Sequence, residues 1–224
     1  MTILLLFLMI AVMLAIDVAR RSKNPLKAPV VSPVEGDTTP FLGQRFFHPA
    51  HSWTTIDSAE RVTVGVDDFA QSVLGQLTGA KLPELGKTCK QGEVLAVLMR
   101  GDKELPQVAP VSGTIVDVNP RLARNPQLVN TSPLDKGWTV KIAPWDLRLE
   151  LANLMRSGSA DRWQTAVRDQ FIQWFSGSHD LVFQDGGKIA ENVCDNLSTE
   201  EWKQLVAEFF PIVSNYRITN QTKD

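Results

Sequence analysis

From Gln44 to Arg156 the chain is cut into short alternating runs by glycine and proline, which excludes long helices there and leaves a mainly β architecture. Arg61–Val66 (RVTVGV) alternates apolar and polar side chains, as a half-buried strand does. Val94–Met99 (VLAVLM) reads as a fully buried strand. Thr114–Val118 follows the turn Val111-Ser112-Gly113, and Trp138–Ile142 (WTVKI) is a further strand. Two short helices interrupt the pattern. Asp67–Leu74 has Asp67 as N-cap and Gly75 as its stop, and Asp146 caps the amphipathic DLRLELANLM. The sum is a small β barrel or sandwich with helical trimmings.

The N-terminal segment obeys a different rule. Ile3 through Ile16 is unbroken apolar sequence, extended past Asp17 by Val18 and Ala19. As a helix, residues 1–19 span roughly 28 Å at ~1.5 Å per residue, close to the ~30 Å hydrocarbon core of a bilayer. A cleaved signal peptide wants a basic start and a small-residue cleavage site, and neither is present. A buried helix of a soluble domain wants a polar face, which this run lacks. The expectation is a single transmembrane helix with Asp17 at the membrane edge. Arg20, Arg21, Lys23 and Lys27 follow with no acid among them. The positive-inside rule then predicts an inner-membrane, single-pass protein with its N-terminus out and the bulk of the chain cytoplasmic. Residues 20–43, with Pro25, Pro29, Pro33 and Pro40, read as an extended linker.

Residues 157–224 form a mostly helical appendage. Arg162–Phe175 places Trp163, Val167, Phe171, Trp174 and Phe175 on one stripe. Ser198-Thr199-Glu200-Glu201 is a capping box opening a helix with Trp202, Leu205, Val206, Phe209 and Phe210 on one face. Asp180–Lys188 (DLVFQDGGK) looks like a short strand and turn. Two readings of the aromatics stand side by side. They pack on each other and on the barrel, or Trp163, Phe171, Trp174, Trp202 and Phe209 form an interface for a protein partner.

Several function classes drop out. A net charge of −2 and a pI near 5.9 give no electrostatic footprint for nucleic acid. Cys89 and Cys194 form no metal-ligating cluster and read as buried reduced thiols, and His48, His51 and His179 lack accompanying carboxylates at ligand spacing. No phosphate loop, dinucleotide fingerprint, nucleophile elbow or zinc-protease motif occurs. No catalytic residues, no metal and no small-molecule substrate are expected.

The strings HPAHSW, VTVGVDDFAQSVLGQL, KLPELGKTCKQGEVLAVL, APVSGTIVDVN, NPQLVNTSPLDKGWTVKIAP and LRLELANLM stand in the order found in the glycine cleavage system H protein. Over roughly residues 46–156 the chain resembles that family, with His51 and Trp53 matching its HxW start as structural residues. The resemblance implies the hybrid barrel-sandwich of lipoyl domains, with a lipoylated lysine at a hairpin tip whose arm swings between partner active sites. In the family that lysine lies ten residues after a turn glycine and eight before the proline of a PVSG-type turn. Gly92 plus ten and Pro110 minus eight both give 102, and residue 102 is aspartate. Met99 stands where the family usually has a glutamate. A carboxylate cannot be acylated by lipoic acid as an amine can. Lys103 comes one residue late, and a one-residue shift along a strand turns a side chain to the opposite face.

No cofactor is therefore expected, and the prediction is a non-catalytic membrane accessory subunit. Its barrel and appendage would dock partner subunits of a multi-subunit membrane complex, of a respiratory or electron-transfer kind. The alternative is a membrane-anchored carrier lipoylated on Lys103, serving a glycine-cleavage-like or sulfur or electron-transfer enzyme.

Overall fold

The computed structural model describes residues 39–176 and 193–212. The chain divides into two units, Met1–Glu35 and Gly36–Asp224. The apolar run Ile3–Ile16, the linker as far as residue 38, the Asp180–Lys188 segment, His179 and the side chain of Cys194 lie outside the described residues. Among the described residues no helix is long and apolar enough to cross a membrane.

Strand formation follows side-chain alternation. β1 (Arg45–Phe47), β2 (Ser52–Ser58) and β3 (Arg61–Val66) run as an antiparallel meander. β3 then pairs with the distant β9 (Val140–Pro144) through Val62↔Ile142 and Val64↔Val140. β8 (Gly113–Val118) and β5 (Thr88–Cys89) complete a six-stranded sheet of order β1-β2-β3-β9-β8-β5. A second sheet holds β4 (Gly79–Lys81), β6 (Val94–Arg100) and β7 (Lys103–Val108), in the order β4-β6-β7. Pro106 sits in β7, an edge strand of that sheet, where a missing backbone N–H is tolerated. The last expected strand begins two residues later than its pattern suggested, at Val140, because Trp138 is still in the preceding turn with its N–H on Asp135 O.

Local hydrogen bonding sets the helices. α1 (Asp68–Leu74) starts where the Asp67 carboxylate accepts from Ala70 N, and it stops at Gly75 with φ of 75°. α2 (Leu128–Thr131) is a single turn, and α3 (Leu147–Leu151) is capped by Asp146 accepting from Leu149 N. α4 (Ser157–Ser176) follows at once, and α5 (Thr199–Phe209) opens with both halves of the Ser198–Glu201 capping box formed.

Two apolar cores result. One fills the six-stranded sheet's inner face with Val62, Val64, Ile115, Val140 and Ile142, closed by Leu147, Leu151 and Leu154. The other joins α1, Leu98 and Leu105 of the smaller sheet, and Phe171, Phe175, Trp202, Leu205, Phe209 and Phe210 from α4, α5 and the residue after it. The C-terminal helices therefore share a core with the β-domain. β6 feeds both cores, Leu95 into the first and Leu98 into the second.

Candidate functional site

The β6–β7 hairpin carries the position singled out by register. Its base is tied by Gly92 N to Ala109 O and Ala109 N to Glu93 O, both 2.8 Å. From there the ladder runs through Val97↔Pro106, Leu98↔Leu105 and Met99↔Glu104 to Arg100↔Lys103. Only Gly101 and Asp102 remain between the strands. Gly101 has φ of 57° while Asp102 is not left-handed, the pattern of a two-residue hairpin turn with glycine first. Gly101 N also donates to Thr78 Oγ1 at 3.1 Å, pinning the tip to the approach of β4.

Asp102 occupies the tip with its side chain 76% exposed. Lys103 is the first residue of β7. Its side chain is only 12% exposed, with Nζ 3.9 Å from Asp102 Oδ1. At the family's lysine position a carboxylate is open to solvent, and the amine one residue later is mostly covered.

The hairpin is also held from behind. Trp202 Nε1 donates to Glu104 O at 3.0 Å, and Arg100 pairs with Asp195, just ahead of α5. Lys81 of β4 reaches the Glu104 carboxylate at 2.5 Å. Leu98 and Leu105, one from each strand, are buried under the same aromatic cluster. Both strands of this hairpin are therefore tied to the C-terminal part of the same chain, β6 to Asp195 and β7 to α5.

Three of the five proposed interface aromatics are core side chains. Phe171, Trp202 and Phe209 are buried within the chain itself, because α4 and α5 face each other and the small sheet at once. That corrects their assignment as interface anchors. Trp163 and Trp174 stay half-buried. Trp174 packs edge-on to Phe209, and Trp163 stacks on His51 with ring centroids 4.8 Å apart.

His51, expected to be structural, is buried in an aromatic setting. Its Nδ1 lies 2.8 Å from Asp67 Oδ2, with both side chains essentially enclosed. The ring is sandwiched between Phe69 and Trp163, with Phe210 tilted beside it. Asp67 thus serves two donors, the imidazole and the α1 N-terminus. In the sequence only the cap is legible, since it lies three residues from its donor. A sealed pair of this kind has no route to a substrate. Neighbouring His48 is held neutral: burial, then the nearby His51, push it down to about 4. Trp53 matches its structural assignment, with Nε1 donating to Val66 O at 2.8 Å and Pro133 O at 3.1 Å. Burial raises the Cys89 thiol to about 11. Among the described residues no group of histidine, cysteine and carboxylate side chains could hold a metal ion.

The family model for the glycine cleavage H-protein matches residues 45–166, from β1 into α4. A glycine cleavage system H protein of Thermus thermophilus is 36% identical over 114 residues, covering 51% of this chain and 88% of its own. That of Geobacillus thermodenitrificans is 39% identical over 119 residues, covering 53% and 90%. A probable one from Pyrococcus furiosus is 36% identical over 110 residues, covering 49% and 81%. A crystal structure of the H protein from Mycobacterium marinum superposes with a TM-score of 0.48 at 26% identity, covering 55% of this chain and 96% of that one.

Proposed function

The chain belongs to the glycine cleavage H-protein family, and from that premise we propose that it is a non-catalytic member whose hairpin stays unmodified and works as a docking element. The observation that carries this is the carboxylate of Asp102 at the solvent-exposed tip, where the family resemblance implies a lipoylated lysine. Acylation needs a nucleophilic amine, and the nearest one, on Lys103, is mostly covered and phased along β7. The contacts of Trp202 and Asp195 hold the hairpin in one orientation, as a docking element needs.

The partners in this reading are other subunits of a membrane complex, of a respiratory or electron-transfer kind. The apolar run Ile3–Ile16 would be the anchor, and the four basic residues after it favour a cytoplasmic domain. Half-buried Trp163 and Trp174 are the two of the aromatic set left to contribute to such contacts.

The competing reading, a carrier lipoylated on Lys103, is favoured by family membership alone. Intact mass of the full chain, purified from cells that lipoylate their own carriers, separates the two. The expected result is the unmodified mass, and Lys103→Arg leaves partner co-purification unchanged. A lipoyl increment on the peptide containing Lys103 overturns the docking role. Carbonate extraction tests the anchor: release of the chain from washed membranes would remove it.

A further inference from the structure

We propose that the face built by α3 and Arg156 is a binding surface for the headgroups of anionic phospholipids. The idea rests on the membrane reading above and adds a second contact to it. Trp145, just ahead of the Asp146 cap, and Leu149, within α3, are 52% and 70% exposed, two of the large apolar side chains most open to solvent among the described residues. Arg148 stands between them and is likewise exposed.

The charges on this helix are sorted. The Asp146 carboxylate is turned onto Leu149 N as the cap. The Glu150 carboxylate is taken by Ser112 N and Oγ, at 2.6 and 2.5 Å, on the barrel side. Arg148 has no ion pair among the described residues, nor has Arg156, whose guanidinium lies 5.6 Å over the Phe41 ring. Asp146 and Glu150 keep their negative charge in these bonds, so the cationic character is local to the cleft that Arg148 and Arg156 line, where no carboxylate is among the lining residues.

Arg148 and Arg156 also line one cleft of about 340 Å³, with Phe41 and Phe46 among its apolar walls. A slot lined by aromatic and aliphatic side chains together with two arginines fits a phosphodiester followed by its first methylenes. Exposed Trp and Leu beside arginine are the side chains that settle at a bilayer interface. Phe41 lies within residues 20–43, expected to be an extended linker, but Thr39–Phe41 forms a 3-10 turn and Phe41 packs on the barrel core, so the slot lies near the start of the described residues.

The test uses the full chain in nanodiscs of phosphatidylcholine alone or with phosphatidylglycerol, reading amide hydrogen exchange over residues 145–156. The expected result is exchange about thirtyfold slower in the phosphatidylglycerol discs, of the order two surface arginines supply. The difference should vanish in Arg148→Gln/Arg156→Gln and in roughly 1 M salt, where screening lengths fall to about 3 Å. It should persist in Arg148→Lys/Arg156→Lys. Both arginines are exposed, so these variants should keep the parent's melting temperature.

Equal exchange in the two discs overturns the proposal, as does protection that ignores lipid charge. Protection seen only when another protein co-purifies also overturns it, and gives the face to that protein. Failure of the anchor is read separately, as loss of the chain from phosphatidylcholine discs. In that event phosphatidylglycerol vesicles added to the free chain still slow exchange if the face binds lipid, and leave it unchanged if it does not.

Discussion

The Trp202 indole N–H donates to the backbone carbonyl of Glu104 at 3.0 Å, joining the final described helix to the strand that leaves the hairpin tip. The ring is buried in the core shared by both parts of the domain. Position and orientation of the arm hairpin thus depend on a residue beyond the stretch the family model matches.

Trp202→Phe keeps most of the apolar contact and removes the hydrogen bond to Glu104 O, and should cost about 0.5–1.5 kcal/mol. Trp202→Ala adds a cavity and should cost about 3–5 kcal/mol. Urea unfolding midpoints measure both, and native-state hydrogen exchange should show the β6–β7 amides opening more often.

If Asp102 is what bars modification, then Met99→Glu with Asp102→Lys should create an acceptor for a lipoate ligase. Intact mass should show one lipoyl group on the double variant and none on the parent chain. Modification of the parent at Lys103 under the same conditions would contradict the phase argument.

His48 is held down to about 4 by burial, against 6.5 in an unfolded chain. A base with a depressed folded pKa stays neutral while the unfolded form takes up a proton. Its effect on stability is absent above pH 6.5 and grows as pH falls toward 4, at up to about 1.4 kcal/mol per pH unit. The His48 Nδ1 acceptor for Ala50 N, at 3.1 Å, would be lost with that proton. His48→Gln should flatten the pH dependence of thermal stability in this window.

Cys89 runs the other way. With its thiol raised to about 11, the folded chain keeps a proton that the unfolded chain loses from about 9 upward, so stability should fall between those values. Near neutral pH, iodoacetamide should label Cys89 in denaturant and leave it unlabelled in the native chain, as read by peptide mapping.

Gly65 lies under Trp53, and a Cβ there would stand 2.5 Å from the indole Cζ2. The indole is fixed by two hydrogen bonds and cannot swing aside. Gly65→Ala should therefore destabilise by about 1–3 kcal/mol, the usual range for overpacking, measurable as a lowered melting temperature.

The parts of the fold visible in the sequence were those set by near neighbours. The caps at Asp67, Asp146 and Ser198 and the stop at Gly75 involve partners within a few residues, whereas residue 102 is singled out by the offsets of the resembled family, counted from Gly92 and Pro110. β7 was obscured by Pro106 and by charged Lys103 and Glu104, which blur alternation on an edge strand. The His51–Asp67 pair depends on β2 lying beside β3, with Ser52 opposite Val66, a register no local pattern encodes. The aromatic stripes of α4 and α5 were ambiguous for a physical reason: a stripe looks the same whether its cover comes from the same chain or another.

Because Leu98 and Leu105 share a core with Trp202, Phe209 and Phe210, synthesis imposes an order on folding. When the hairpin leaves the ribosome, the helices that cover its apolar face are still untranslated. That face must wait about ten seconds at ordinary elongation rates of roughly 5–20 residues per second. During that interval β4, β6 and β7 form a small sheet with one greasy side uncovered, a surface suited to a chaperone or to misassociation with another nascent copy.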